Sequence, residues 1–206
     1  MSRGGQRAGP TTAQRAFDAP LRIGVVADTH IFAGGRREMH PAILRLFRRA
    51  GVGLMVHLGD ANTRAVLEEL AAIAPLIAVS GNNDDDELQV LLPQTTRFRV
   101  GRFTFAVLHG HGGRSARDEA VRRWAGKVDC VLFGHSHKPL LEQVRGTTLF
   151  NPGSATERRW HPHFGVGLVT VEADRLVPEL IVYADPRHLE NVRVEPGGPA
   201  DGQETT

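Results

Sequence analysis

Residues 23–30 read Ile-Gly-Val-Val-Ala-Asp-Thr-His, a short apolar run that ends in a carboxylate and an imidazole one residue apart. The run has the length and composition of a buried strand, and the polar ending falls where the strand gives way to a loop. Four further runs end in the same way. Leu54–Leu58 leads into Gly59-Asp60, and Leu76–Val79 into Ser80-Gly81-Asn82-Asn83-Asp84. Phe103–Leu108 leads into His109-Gly110-His111, and Cys130–Phe133 into Gly134-His135-Ser136-His137. Repeated in chain order, such endings gather carboxylate, amide and imidazole groups at the carboxyl ends of strands, where open α/β sheets bind ligands.

The segments between these runs set the layering. Pro41–Ala50 carries Ile43, Leu44 and Phe47 at helical spacing, with Pro41 suited to a first turn. Asn62 is expected to cap a second helix in which Val66, Leu67, Leu70 and Ile73 share a face, and Pro75 ends it. Strand, helix, strand, helix, strand predicts a mainly parallel sheet with helices packed on it. After Asp84 the pattern changes. Thr96–Val100 and Phe103–Leu108 flank Gly101-Arg102 as a hairpin would, and Ala116, Ala120, Val121 and Trp124 mark one more amphipathic helix. Two late hairpins are expected, one around Gly146 and one around Ala173-Asp174. The predicted class is α/β: a four-layer αββα sandwich of two packed mixed sheets flanked by helices, with no internal repeat.

A chain of 206 residues supports one sizeable core. The expected division is a disordered lead-in over 1–19, one domain over 20–190 and a disordered tail over 191–206, from the Gly, Pro and Thr bias of both ends. The formal charge of +2, from 25 basic and 23 acidic residues, is too small to imply a nucleic-acid partner, which stays open. Cys130 is the single cysteine, so an internal disulfide is excluded and a reducing, cytoplasmic setting is expected. No run approaches the apolar length of a membrane span, and the first twenty residues lack the apolar centre of a secretory signal.

Asp28, His30, Asp60, Asn82, His109, His135 and His137 are the candidate metal ligands. With no cysteine among them, nitrogen and oxygen donors favour manganese, iron, nickel or zinc. Seven donors exceed one ordinary site but suit two cations about 3.5–4 Å apart if one carboxylate bridges, and such a pair can clamp a phosphoryl group. Asp60 stands centrally in chain order.

The series Asp-x-His, Gly-Asp, Gly-Asn-Asn-Asp, His and Gly-His-x-His, over Leu21 to about Tyr183, resembles the calcineurin-like metallophosphoesterases. Gly81-Asn82-Asn83-Asp84, His109-Gly110-His111 and Asn151-Pro152-Gly153-Ser154 look most like its small bacterial and archaeal phosphodiesterase branch, near which a eukaryotic retromer subunit also falls. The resemblance implies a phosphodiesterase that uses two divalent ions, Mn²⁺ first among them, and a hydroxide bridging the metals. It implies Asp28, His30, Asp60 and His137 at one ion, and Asp60, Asn82, His109 and His135 at the other. The alternatives are a phosphatase or nucleotide pyrophosphohydrolase of the same fold, or a non-catalytic scaffold. The expected partner is a small phosphodiester; a homo-oligomer is left open, since edge strands of the late hairpins could pair between subunits.

One position departs from the family pattern. Many members carry His where this chain has Asn83, and an amide can hydrogen-bond a phosphate but cannot serve as a general acid. Asn83 and His111 are the candidate residues for substrate contact, His111 alternatively supporting His109 or lying idle in its loop. Asp84, Asp85 and Asp86 are expected to cap the following helix, with Asp84 alternatively bonding the ligating histidines. His57 is expected to pack within its strand, Asn151–Ser154 to belong to the site's rim, and Arg158–His163 to form a solvated basic and aromatic loop, alternatively one that grips a phosphate or a base.

Overall fold

A computed structural model describes residues 15–194 of the chain. Of the terminal disorder expected over 1–19 and 191–206, residues 1–14 and 195–206 lie outside the described residues, whereas Asn191 ends a 3₁₀ turn and Val192 and Val194 pack against the core. Eleven strands and four α-helices are present among them: β1 Arg15–Phe17, β2 Leu21–Val26, α1 Pro41–Arg49, β3 Leu54–His57, α2 Arg64–Ala71, β4 Leu76–Ala78, α3 Asp86–Leu91, β5 Thr95–Val100, β6 Phe103–Leu108, α4 Ala116–Trp124, β7 Cys130–Phe133, β8 Leu140–Val144, β9 Thr147–Asn151, β10 Phe164–Val171 and β11 Leu176–Tyr183. A 3₁₀ turn, Pro186–Asn191, follows.

The strands form two sheets, in the orders β11-β10-β2-β3-β4 and β1-β5-β6-β7-β9-β8. In the first, β2, β3 and β4 are parallel and β10 runs antiparallel beside β2. In the second, β6, β7 and β9 are parallel, while β5 and β8 join as antiparallel hairpin arms. Both sheets are therefore mixed, as the alternation of crossovers and hairpins predicts.

Three apolar clusters divide these layers. Ile23, Val25, Val56, Phe98, Phe105, Leu132 and Phe150 lie between the sheets. Ile43, Leu46 and Phe47 of α1 with Val66, Leu67 and Leu70 of α2 cover the outer face of the first sheet. Ala116 and Ala120 of α4 cover the outer face of the second, against Val131, Phe133 and Leu149. Each fully buried large side chain contributes roughly 1.5–3 kcal/mol. Packing is close enough that a Cβ on Gly167 of β10 would fall 2.4 Å from the Phe150 ring.

Two local expectations are corrected and one is met. Asn62 does not cap α2; Thr63 holds that place without a side-chain capping bond, and Asn62 instead turns left-handed (φ 73°) while its backbone N donates to Asp84. Of the acidic run Asp84–Asp86, Asp85 caps α3 as expected, its carboxylate accepting from the Leu88 amide. Arg15–Phe17, assigned to the lead-in, forms an edge strand parallel to β5, because Phe17 meets Phe98 edge-on and packs at the margin of the inter-sheet core.

Candidate metal centre

The loops after β2 and β3 stay paired beyond the strands: Asp28 N donates to Gly59 O (3.1 Å) and His30 N to Asp60 O (2.9 Å). A third element locks them. Ser154 Oγ donates to Asp28 O at 2.7 Å, and Thr156 Oγ1 donates to Thr29 O. Asn151 Nδ2 donates to Gly134 O (2.9 Å) and Ser136 Oγ (3.1 Å), inside the Gly134–His137 turn. Asn151 and Ser154 are fully buried, so this stretch is the frame under the ligand loops, where the sequence suggested their rim.

Asp28, His30, Asp60, His135 and His137 all have left-handed backbones, with φ between 46° and 67°. That conformation costs an L-residue roughly 1–2 kcal/mol and persists where surrounding bonds over-determine it, which is characteristic of functional sites. Glycine is needed beside them. A Cβ on Gly59 would lie 2.7 Å from His109 Nδ1, and one on Gly81 would lie 2.1 Å from Asp60 Oδ1.

Two groups of donor atoms result. Asp28, His30 and His137 bring one ligand atom each within 4.8 Å of one another, and so do Asp60, His109 and His135. Asp60 faces both: its Oδ2 is 3.2 Å from His109 Nε2 and 3.5 Å from His30 Nε2. His30 Nε2 and His137 Nε2 are 3.1 Å apart, and His109 Nε2 is 3.2 Å from His135 Nδ1. The far nitrogens are anchored: His109 Nδ1 donates to Leu58 O (2.8 Å) and His137 Nδ1 donates to the Glu157 carbonyl. Such outward bonds fix the tautomer and leave the inward nitrogen as a lone-pair donor.

The electrostatics follow from burial. Asp28 is pushed up to about 7, chiefly because burial penalises its charge. Burial also lowers His30 and His135, and takes His137 down to about 4. Asp60 resists its own burial and stays well below the usual carboxylate range through hydrogen bonds from His109 and Asn83. His109 is raised, burial being outweighed by that same bond to Asp60. Asp28 Oδ2 is buried with no hydrogen-bond partner. An orphaned carboxylate oxygen beside close-set imidazole nitrogens fits a divalent cation, which would satisfy all of them together.

The two amides of the Gly81–Asp84 loop differ in their contacts. The amide that meets the cluster is Asn83, whose Nδ2 donates to Asp60 Oδ2 (2.7 Å) and whose backbone N donates to Oδ1 (2.8 Å). Asn82 is exposed and its side chain makes no hydrogen bond among the described residues. Asp84 bonds backbone amides instead of histidines, accepting from Asn62 N (2.8 Å) and Gly81 N (2.7 Å) and so tying two ligand loops together. His111 is exposed, its ring 5.5 Å from that of His109 and 6.3 Å from that of His135. His57 is packed in β3 as expected, where it also faces Thr29 Oγ1 (3.3 Å) and accepts from Gly59 N (3.3 Å).

Glu157 and Arg37 had no signal of their own in the sequence. Glu157 Oε2 lies 3.6 Å from His30 Nε2, and Arg37 bridges Glu157 Oε1 (3.3 Å) and His30 O (3.0 Å). Only the offset of Glu157 from the buried Asn151–Ser154 frame could have pointed to it.

Two clusters of nitrogen and oxygen donors, set at strand ends in an αββα sandwich, are the equipment of a metal-dependent hydrolase. Residues 21–174 match the family model of the calcineurin-like phosphoesterase superfamily domain, and the chain belongs to that family as a metal-dependent phosphoesterase. A probable metallophosphoesterase of Methanocaldococcus jannaschii is 32% identical over 164 residues, covering 78% of this chain and 81% of that protein. A phosphodiesterase of the same organism is 26% identical over 145 residues, covering 65% and 83%. Among solved structures, Vps29 of Entamoeba histolytica complexed with Zn²⁺ has a TM-score of 0.63 at 21% identity, over 79% of this chain and 99% of that one. An archaeal phosphodiesterase has a TM-score of 0.61 at 22% identity, over 78% and 100%. These structural likenesses concern the fold.

Proposed function

We propose that this metallophosphoesterase is a phosphodiesterase that works with two divalent cations, Mn²⁺ the first candidate, on a small phosphodiester. Asp28, His30 and His137 would hold one ion, His109 and His135 the other, and Asp60 would be shared. The observation that carries this is the position of Asp60 Oδ2, within 3.5 Å of an imidazole nitrogen from each group. When bound, such ions supply Lewis acidity for the charge on a phosphoryl group and acidify a nearby water.

The chain's own residues support a preference for diesters. Asn83 orients Asp60 through both carboxylate oxygens, and its amide is too weak an acid to protonate a departing oxygen. His111 is exposed beside His109 and His135, outside both groups, where its ring can meet a substrate at the mouth of the site. Substrates whose leaving oxygen departs without much protonation suit this arrangement. A scaffold would need neither the strained ligand backbones nor the anchored tautomers. The single buried Cys130 suits a reducing cytoplasm.

The test is a paired assay of bis(4-nitrophenyl) phosphate and 4-nitrophenyl phosphate with metal-stripped protein refilled with Mn²⁺. Faster turnover of the diester supports the proposal, and a clear preference for the monoester overturns it.

A further inference from the structure

Among the described residues, the exposed aromatic side chains are Phe32 and Trp160, with 56% and 98% of their surfaces in contact with solvent. Both lie in loops that leave the metal centre. Phe32 is two residues beyond His30, and Trp160 is three beyond Glu157, whose carboxylate and carbonyl face His30 and His137. A ring left in water forgoes the burial that would stabilise it by more than 1 kcal/mol, so exposed rings on two loops that border one centre ask for a ligand.

The Trp160 loop is built to hold its shape. His161 N donates to Arg158 O at 2.9 Å, closing a turn with Arg159 and Trp160 at its centre. Arg159 is left-handed there (φ 49°), a place that ordinarily takes Gly or Asn. Arg158 secures the turn, donating to Pro162 O (3.0 Å) with its guanidinium 5.6 Å from the Phe164 ring centre. Arg159 donates no hydrogen bond among the described residues, and it stands two residues beyond Glu157, whose carboxylate lies 3.6 Å from His30 Nε2 and whose carbonyl accepts from His137. Alongside, a groove of about 600 Å³ opens directly on His30, lined by Phe32, Gly35, Arg36, Arg37 and Glu157. That volume lies within the range of small-molecule sites.

We infer that these two loops form a substrate subsite for a nucleoside phosphodiester, Arg159 holding a non-bridging phosphate oxygen at the metal centre while Trp160 and Phe32 offer stacking faces to the base. Every nucleobase has a π-face, so recognition by stacking is tolerant of base identity. The inference rests on the phosphodiesterase proposal for the chemistry and adds the class of substrate.

The test uses two esters with one leaving group, thymidine 5′-(4-nitrophenyl) phosphate and methyl 4-nitrophenyl phosphate, on the Mn²⁺-refilled protein. The nucleoside ester is expected to have the higher kcat/KM, and Trp160→Ala and Phe32→Ala to lower the ratio of the two by about ten-fold each, in line with the loss of one stacking face. Arg159→Met is expected to reduce both esters together and leave the ratio alone. A second readout is independent of turnover: in a Trp124→Phe background, thymidine 5′-monophosphate quenches Trp160 fluorescence saturably and ribose 5-phosphate does not. A native ratio near one, or equal quenching by both phosphates, overturns the subsite. Failure to hydrolyse either ester counts against the phosphodiesterase proposal, and the quenching experiment still decides the subsite.

Discussion

Gly81→Ala places one methyl group where the metal centre has no room. The new Cβ would fall 2.1 Å from Asp60 Oδ1, 2.4 Å from Asp60 N and 2.8 Å from Asp60 Cγ, so no rotamer of Asp60 escapes it, because one obstacle is backbone. Ordinary carbon contacts begin near 3.5 Å, so the two segments must part by about 1 Å. The Asp60 segment resists: its carbonyl accepts from His30 N (2.9 Å), its Oδ1 accepts from Asn83 N (2.8 Å), and its φ of 58° is already strained. Gly81 is held too, its amide donating to Asp84 Oδ2 (2.7 Å). Overpacking of this kind costs about 1–3 kcal/mol of stability. A misplacement of about 1 Å at a catalytic group costs on the order of 100-fold in rate. The expected result is a folded protein with kcat/KM for bis(4-nitrophenyl) phosphate down by about 100-fold or more and a reduced metal content. The assay pairs steady-state kinetics with a thermal melt, so that loss of fold and loss of site are told apart. Native turnover and native metal content in Gly81→Ala would refute the placement of Gly81 against Asp60.

Asp84→Asn should loosen the same region from below. One of the amides of Asn62 and Gly81 then faces an NH₂ in place of a carboxylate oxygen, a loss of roughly 2–4 kcal/mol, measured by urea denaturation; a loss under about 1 kcal/mol would contradict the tie between the loops. His57 makes the fold sensitive to acid. Burial, followed by repulsion from His109, takes it down to about 3, whereas the unfolded chain binds that proton near 6.5. Its contribution is therefore fully present above pH 6.5 and is lost as pH falls towards 3, up to about 4–5 kcal/mol in all. His57→Gln should flatten the dependence of the urea midpoint on pH over that window; an unchanged slope would show that His57 does not titrate so low.

Much of this molecule is legible in its sequence for one physical reason. Buried strands need unbroken apolar runs, so the polar residue that follows each run marks a strand end, and Asp28, Asp60, His109 and His135 stand out by contrast. The two hairpin arms around Gly101 and Gly146 were legible because glycine supplies the positive φ both turns use. Local pattern does not say which sheet a hairpin joins, so the parallel pairing of β7 with β9 and the antiparallel pairing of β10 with β2 appear only in three dimensions. β1 has too few residues for any periodicity and is ordered by its partner β5. Asn82 and Asn83 are chemically identical in the chain, and the backbone course of the Gly81–Asp84 loop alone decides which one meets Asp60. Asp and His are enriched among left-handed residues, but residue type alone does not say that Asp28 and His137 are left-handed. Glu157 and Arg159 reach the centre through a loop whose course is set by buried Asn151 and Ser154, and Arg37 meets Glu157 from the loop between β2 and α1, over a distance that no short motif spans.

The central claim is that Asp60 joins two cation sites into one catalytic centre. It is tested most directly by counting metal per chain in Mn²⁺-refilled protein and in Asp60→Asn, with diester turnover read on the same samples. The account predicts two equivalents and turnover in the native protein, and a loss of at least one equivalent together with collapse of turnover in the variant. One equivalent or none in an active native protein, or a variant that keeps both its metal and its rate, would contradict it.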